Sequence, residues 1–141
     1  MATRAAIVVE ARKWLGTKFR HQGRGAEGID CAGLLVVVAR ALGIPATDDL
    51  TYRRIPDTAK LKQVLLANLQ QKPITERRQG DVLLFKDPVR QGHMYHLGIQ
   101  TDRGFIHAYG RADVKRVVEL PMSPDWAAAI VGAFEYPGTE A

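Results

Sequence analysis

Apolar positions recur every three or four residues near the start of the chain, at Ile7, Val8, Ala11, Trp14 and Leu15. That spacing predicts an amphipathic helix, with Thr3 able to cap its start and Gly16 to end it. Residues 17–29 break the period with glycines and mixed charges and read as a loop. Asp30 can cap a second helix running from Cys31 to about Leu42, stopped by Gly43 and Pro45. Its apolar positions Leu34, Leu35, Val38 and Leu42 span a wide face, as expected of a central buried helix. Residues 44–56 look irregular. Asp57 can then cap a third helix with Leu61, Val64, Leu65 and Leu69 on one face.

Beyond Pro73 and Gly80 the period changes. Val82-Leu83-Leu84-Phe85 is a short apolar run and reads as a strand. Residues 95–101 and 104–108 flank an Asp102-Arg103 turn and read as a hairpin. Residues 114–120 and 129–136 are further strands. Helices first and strands second predict an α+β domain, with N-terminal helices packed on a mostly antiparallel sheet of about five strands. No internal repeat or linker interrupts the chain, so residues 1–141 read as a single domain.

Composition adds bounds. The chain is 46% hydrophobic and 25% charged, as in ordinary globular domains. A chain of this length buries about 68% of its unfolded surface and folds without disulfide or structural metal. Its formal charge of +5 suits nucleic acid, an anionic membrane or an acidic polymer such as a cell wall. The basic residues are scattered, densest at Arg53-Arg54 and Arg77-Arg78, and none of them forms an aromatic-interleaved basic stretch. Nucleic acid is therefore not an expected partner. No run approaches the roughly 18 apolar residues of a membrane span. Charges interrupt the N-terminal apolar stretch, so no secretory signal is read and synthesis is expected in the cytoplasm.

The one cysteine, Cys31, is by base rate a packing residue. Three features turn it toward chemistry. It opens a helix, where unpaired N–H groups and the macrodipole favour a thiolate. Gly28 and Gly33 flank it, and Gly33 allows another backbone or a substrate to come close. Histidines stand downstream on a different element, as a Cys–His pair requires. Of His21, His93, His96 and His107, two fall in the expected hairpin. With a two-residue turn at 102–103, Gly98 lies opposite His107 and His96 is the diagonal neighbour on the same face. Gly98 would leave the space between the imidazoles open. An odd-length turn with a bulge at Gly104 would split the pair between faces. In the even register, His96 can deprotonate Cys31 while His107 bonds the far nitrogen of His96 and fixes its tautomer. A metal reading uses the His-x-x-His spacing of His93 and His96 with His107 and Cys31. Positions 93 and 96 face opposite sides of a strand, so neither metal nor other cofactor is expected.

Five stretches in order resemble the NlpC family of papain-like bacterial cell-wall peptidases. They are Leu15-Gly16-Thr17-Lys18-Phe19-Arg20-His21-Gln22-Gly23, Asp30-Cys31-Ala32-Gly33-Leu34-Leu35, Gly80-Asp81-Val82-Leu83-Leu84-Phe85, His96-Leu97-Gly98-Ile99 and Phe105-Ile106-His107-Ala108. The resemblance implies a papain-like fold, a catalytic Cys31, a base His96 and an orienting His107. It implies hydrolysis of a peptide bond in the peptidoglycan stem, such as that between D-glutamate and a diamino acid. Many members carry tyrosine where this chain has Phe19 and serine where it has Ala32. Phe19, His21, Asp30 and Ala32 are the expected substrate-side residues. The Phe-Arg-His-Gln run and the segment from Trp126 to Pro137 look like the short members carried by phage tails. An assembly component of such a particle with weak or lost activity is the alternative, as is a thiol amidase or acyltransferase on the same fold. The expected partners are the stem peptide and phage-tail proteins.

Overall fold

The computed structural model describes residues 2–46, 63, 65–89 and 95–139. Helix α1 spans Arg4–Arg12, and the Thr3 hydroxyl caps it by accepting from the Ala6 N–H at 3.0 Å. The apolar period continues to Leu15, yet the helix stops three residues earlier. Residues 13–16 form turns that end on Gly16, at φ +86, whose N–H donates to the Val117 carbonyl at 3.0 Å. The expected loop at 17–29 holds a small antiparallel pair, β1 (Arg24–Gly25) and β2 (Gly28–Ile29). Helix α2, Cys31–Ala41, is buried along nearly its whole length, as its wide apolar face predicts. Residues 65–68 are helical with Leu65 in the core, as expected for the end of the third helix. Asp57, Leu61 and Val64 of that helix, and most of the irregular stretch at 44–56, lie outside the described residues.

Six strands form the main sheet: β3 (Gln70–Lys72), β4 (Val82–Lys86), β5 (Tyr95–Gln100), β6 (Gly104–Tyr109), β7 (Arg116–Pro121) and β8 (Ile130–Glu135). Their order is β3-β8-β4-β5-β6-β7 and every neighbouring pair is antiparallel. The sixth strand, β3, escaped the sequence reading because Gln70-Gln71-Lys72 has no apolar alternation. A five-residue helix, α3 (Pro124–Ala128), was also unread; Ser123 caps it and Pro124 sits where proline suits a first turn.

Alternation along the strands gives the sheet two faces. Val82, Leu84, Leu97, Ile99, Ile106, Ala108 and Phe134 pack with Ile7 and Ala11 of α1 and Leu34, Leu35 and Val38 of α2. Leu83, Phe85, Phe105, Tyr109 and Ala133 form a second cluster, closed by Trp126 of α3 and by Ile130. Residues 16–19 run along the outer edge of β7, where the Val117 N–H donates to the Thr17 carbonyl and the Phe19 N–H to the Lys115 carbonyl, both at 2.9 Å.

A buried ionic group ties α1 to the sheet. The Arg4 guanidinium donates to the Gln79 carbonyl at 3.0 Å, to Asp81 Oδ1 at 2.7 Å and to Glu135. Asp81 is 0% exposed, and its Oδ2 accepts from Lys72 Nζ and from the Arg78 N–H, each at 2.8 Å. Gly80 has φ +86, and a Cβ there would fall 3.1 Å from Arg4 Cα. The Gly-Asp pair is thus set by close packing and by charge neutralisation.

Removing one partner from such a group leaves a buried charge uncompensated. Asp81→Ala is expected to lower stability by about 3–5 kcal/mol in urea unfolding. A second, milder cluster lies at the hairpin tip. Arg12 bonds Glu119 at 3.1 and 2.9 Å and Asp102 at 2.6 Å, and the Thr101 hydroxyl donates to Glu119 at 2.8 Å. The Arg12 bond holds the Glu119 carboxyl below its usual range, so its contribution is full above the ordinary value of 4.5 and fades as pH falls below it. Because Glu119 is partly solvated, Glu119→Gln is expected to cost about 1 kcal/mol or less at neutral pH. The difference from the parent chain should vanish in urea titrations run well into acid.

Candidate active site

The site is assembled around Asp30, which is 2% exposed. As the N-cap of α2 its Oδ1 accepts from the Gly33 N–H at 2.7 Å. The same oxygen takes Arg24 Nη1 at 2.9 Å, while Oδ2 accepts from the Gln22 N–H at 2.8 Å. One carboxylate therefore fixes both the first turn of α2 and the loop before it. Gly33 is required by that fit: a Cβ there would fall 2.3 Å from the Gly23 carbonyl oxygen. Its expected close approach is to this loop's backbone. Gln22 sits at φ +59 in the tight turn that the Gly23 N–H closes onto the Arg20 carbonyl at 2.8 Å.

The loop also brings Cys31 to one end of the sheet. Phe19 pairs in parallel with Ile29, two residues before Cys31: the Ile29 N–H donates to the Lys18 carbonyl at 2.9 Å and the Arg20 N–H to the Ile29 carbonyl at 3.1 Å. The Phe19 ring lies against Gly110, just past the end of β6; a Cβ on Gly110 would meet it at 3.0 Å. The start of α2 thus reaches the open end of the β5–β6 hairpin. Cys31 is 9% exposed there and belongs to the helix-side core.

His96 is the second residue of β5, at this same end of the hairpin. The pairing of Ile99 with Ile106 and of Gln100 with Phe105 is the register of a two-residue turn. Thr101 N–H donates to the Gly104 carbonyl at 2.8 Å to close it. In that register Gly98 aligns with His107, and His96 reaches diagonally to it. His96 Nε2 and His107 Nδ1 are 2.6 Å apart, one donating and the other accepting, in a buried hydrogen bond. The rings meet edge to face, 4.7 Å between centroids. The space above Gly98 is not open as expected: a Cβ there would meet the Phe105 ring at 3.2 Å and the Phe85 ring at 3.4 Å.

Aromatic side chains enclose the pair. Tyr109 stacks on His107 at 4.7 Å with 24° between planes, and Trp126 meets His107 edge-on at 5.4 Å. The Tyr109 hydroxyl donates to Asp87 Oδ1 at 3.0 Å, and Asp87 is itself buried. Sequence reasoning missed Tyr109, Asp87 and Trp126. Tyr109 was legible, since it lies two residues beyond His107 and shares its face. Trp126 arrives on α3, which has no local signature.

The other expected residues divide. Phe19 borders the start of α2, and His21 sits half-buried in the turn beside it. Asp30 and Ala32 were expected to touch substrate. Both are buried, Asp30 in bonds to its own chain and Ala32 among Leu35, Val36, Ala39 and Tyr136 around a pocket of about 20 Å³. That volume is little more than one water needs. The Tyr136 hydroxyl donates to the Leu35 carbonyl at 2.9 Å, and burial pushes its ionisation far above the usual tyrosine range. His93 lies outside the described residues.

The NlpC/P60 family pattern matches residues 16–134. The chain is 28% identical over 113 residues to "Probable endopeptidase NlpC" of Escherichia coli K12, covering 79% of this chain and 66% of that protein. A solved NlpC/P60 family protein of Bacillus cereus superposes with a TM-score of 0.67 at 21% identity, over 94% of this chain and 40% of the other. The NlpC/p60 domain of the peptidoglycan hydrolase SagA gives 0.59 at 25% identity, over 94% and 97%. The chain therefore spans about two thirds of the Escherichia coli relative and less than half of the Bacillus cereus protein.

Asp30→Ala removes the cap and both loop bonds together. It is expected to lower stability by about 1–2 kcal/mol in urea unfolding, and to slow alkylation of Cys31 by iodoacetamide at neutral pH. Asp30→Asn keeps an acceptor for Gly33 and should fall between the two.

Proposed function

The chain belongs to the NlpC/P60 family, and from that premise we propose that it is a cysteine hydrolase acting on peptidoglycan stem peptides. The bond proposed is a peptide bond of the stem, such as that between D-glutamate and a diamino acid. Cys31 is the nucleophile, His96 its base and His107 the residue that orients His96. The observation that carries this reading is the buried 2.6 Å bond between His96 Nε2 and His107 Nδ1. With Nε2 turned to His107, His96 addresses the thiol through Nδ1. Protein relatives named as endopeptidase and peptidoglycan hydrolase support the substrate class.

The reaction is acyl transfer in two steps. His96 takes the thiol proton and the thiolate attacks the carbonyl carbon. Charge gathers on the carbonyl oxygen, which the Cys31 N–H in the first turn of α2 can receive. The C–N bond breaks as His96 returns the proton to the departing amine, leaving a thioester. Water, deprotonated by His96, then attacks the thioester, and the Cys31 thiolate leaves. His107 holds the imidazole in the tautomer and direction both steps need, as a carboxylate or amide does in other triads. Phe19 and His21, beside the start of α2, border the bound peptide.

The test is digestion of purified peptidoglycan followed by mass spectrometry of the released muropeptides. The parent chain should cut within the stem. Cys31→Ala should release nothing, and cleavage at the parent rate would end the assignment. His107→Leu is expected to lower kcat/KM by about 10²–10⁴-fold, with His107→Asn recovering part of the loss. Carriage by a phage tail or similar particle would bring the domain to this substrate, and co-purification with such particles tests that setting.

A further inference from the structure

Several cations among the described residues have acidic partners. Arg4 and Lys72 hold Asp81, Arg12 holds Glu119, Arg24 holds Asp30 and Arg111 holds Asp113 at 3.0 Å. Among the described residues Arg77, Arg78, Lys86 and Arg103 make no ion pair, and neither do Lys18, Arg20, Lys115 and Arg116, four exposed cations that the backbone brings together beside the start of α2. We infer that these last four form a docking strip for the free carboxylates of peptidoglycan stem peptides. The inference rests on the substrate reading above.

The backbone sets the strip. Lys18 and Arg116 are partners in an antiparallel bridge, so their side chains leave the same side. Partners across such a bridge have Cβ atoms only about 4.5–5.5 Å apart, and like charges there repel. Lys115 is pinned next to them by the bond from the Phe19 N–H to its carbonyl, at φ +46. That conformation is uncommon for a residue other than glycine. Arg20 follows Phe19, and its stem lies over Gly28, where an added Cβ would fall 2.5 Å from Arg20 Cβ. Gly28 is three residues before Cys31. The acids nearest in sequence are Asp113 and Glu119, already held by Arg111 and Arg12, and the exposed Glu27. The strip therefore presents concentrated positive charge along the segment that leads to the nucleophile. A peptidoglycan strand repeats its stem peptides, so several carboxylates can engage at once while one peptide enters the site.

The experiment is co-sedimentation of the Cys31→Ala chain with purified sacculi, between about 50 and 500 mM salt. Binding should weaken as salt rises. Lys18→Gln, Arg20→Gln, Lys115→Gln and Arg116→Gln combined should weaken it by about tenfold or more at low salt, with an unchanged thermal midpoint. The unaltered strip should bind sacculi whose carboxylates have been amidated about tenfold or more less tightly than native sacculi, a comparison that needs no variant; equal binding to the two would overturn the inference. Sacculi stripped of phosphate polymers should bind as before. Equal binding by a folded variant, salt-independent binding, loss on phosphate stripping, or equal retention on duplex DNA would each overturn the inference. Parent chain that binds with this salt dependence yet cuts nothing would sink the hydrolase reading and leave the strip. Cleavage of a soluble stem tetrapeptide without salt-sensitive binding to sacculi would sink only the strip.

Discussion

The site depends on one buried carboxylate. Asp30 holds the Gly33 N–H, the Gln22 N–H and the Arg24 guanidinium at once. Each bond alone is an ordinary cap or turn contact. Together they make the first turn of α2 and the loop from Phe19 to Ile29 a single rigid unit. A desolvated acid with its bonds made has no low-cost alternative arrangement, since leaving any partner would strand charge away from water. The position of Cys31 is the by-product of that constraint.

The histidine pair is built by different means. It stands on one sheet face through strand alternation and hairpin register, and aromatic packing then closes over it. Phe85, Phe105, Tyr109 and Trp126 give the two imidazoles a dry surround, in which a hydrogen bond is electrostatically stronger than in water. Tyr109 is itself oriented by Asp87, so the order extends one layer beyond the rings that touch. The helix start and the strand pair are thus held by separate means, one by a buried carboxylate and the other by register and aromatic packing.

Much of this was legible because it is periodic or local. The cap at Asp30, the buried face of α2 and the parity that puts His96 and His107 on one face all follow from spacing alone. The turn at Asp102-Arg103 decided the register, and the register decided the pairing. What was missed is nonlocal. Gly98 was read as open space because the rings that fill it come from Phe85 and Phe105, on neighbouring strands. The bonds of Asp30 to Gln22 and Arg24, and the apolar surround of Ala32, come from segments that sequence adjacency to Cys31 does not reveal. β3 is polar and α3 is five residues long, so neither has a pattern strong enough to read. The Arg4–Asp81 bond joins residues 77 positions apart and has no signature at either end.

One arrangement ties solubility to the site. The outer strand β7 would otherwise present a row of unpaired backbone groups, the usual template for strand-to-strand aggregation. Residues 16–19 occupy the start of that row, at Lys115 and Val117, and they include the Phe19 that also aligns Ile29 ahead of Cys31. The same short segment guards an adhesive edge and shapes the approach to the thiol. A substitution that loosens it would expose backbone groups of that edge as well as disturb the pairing with Ile29. Covering that edge and positioning Ile29 are therefore one constraint on the sequence of residues 16–19.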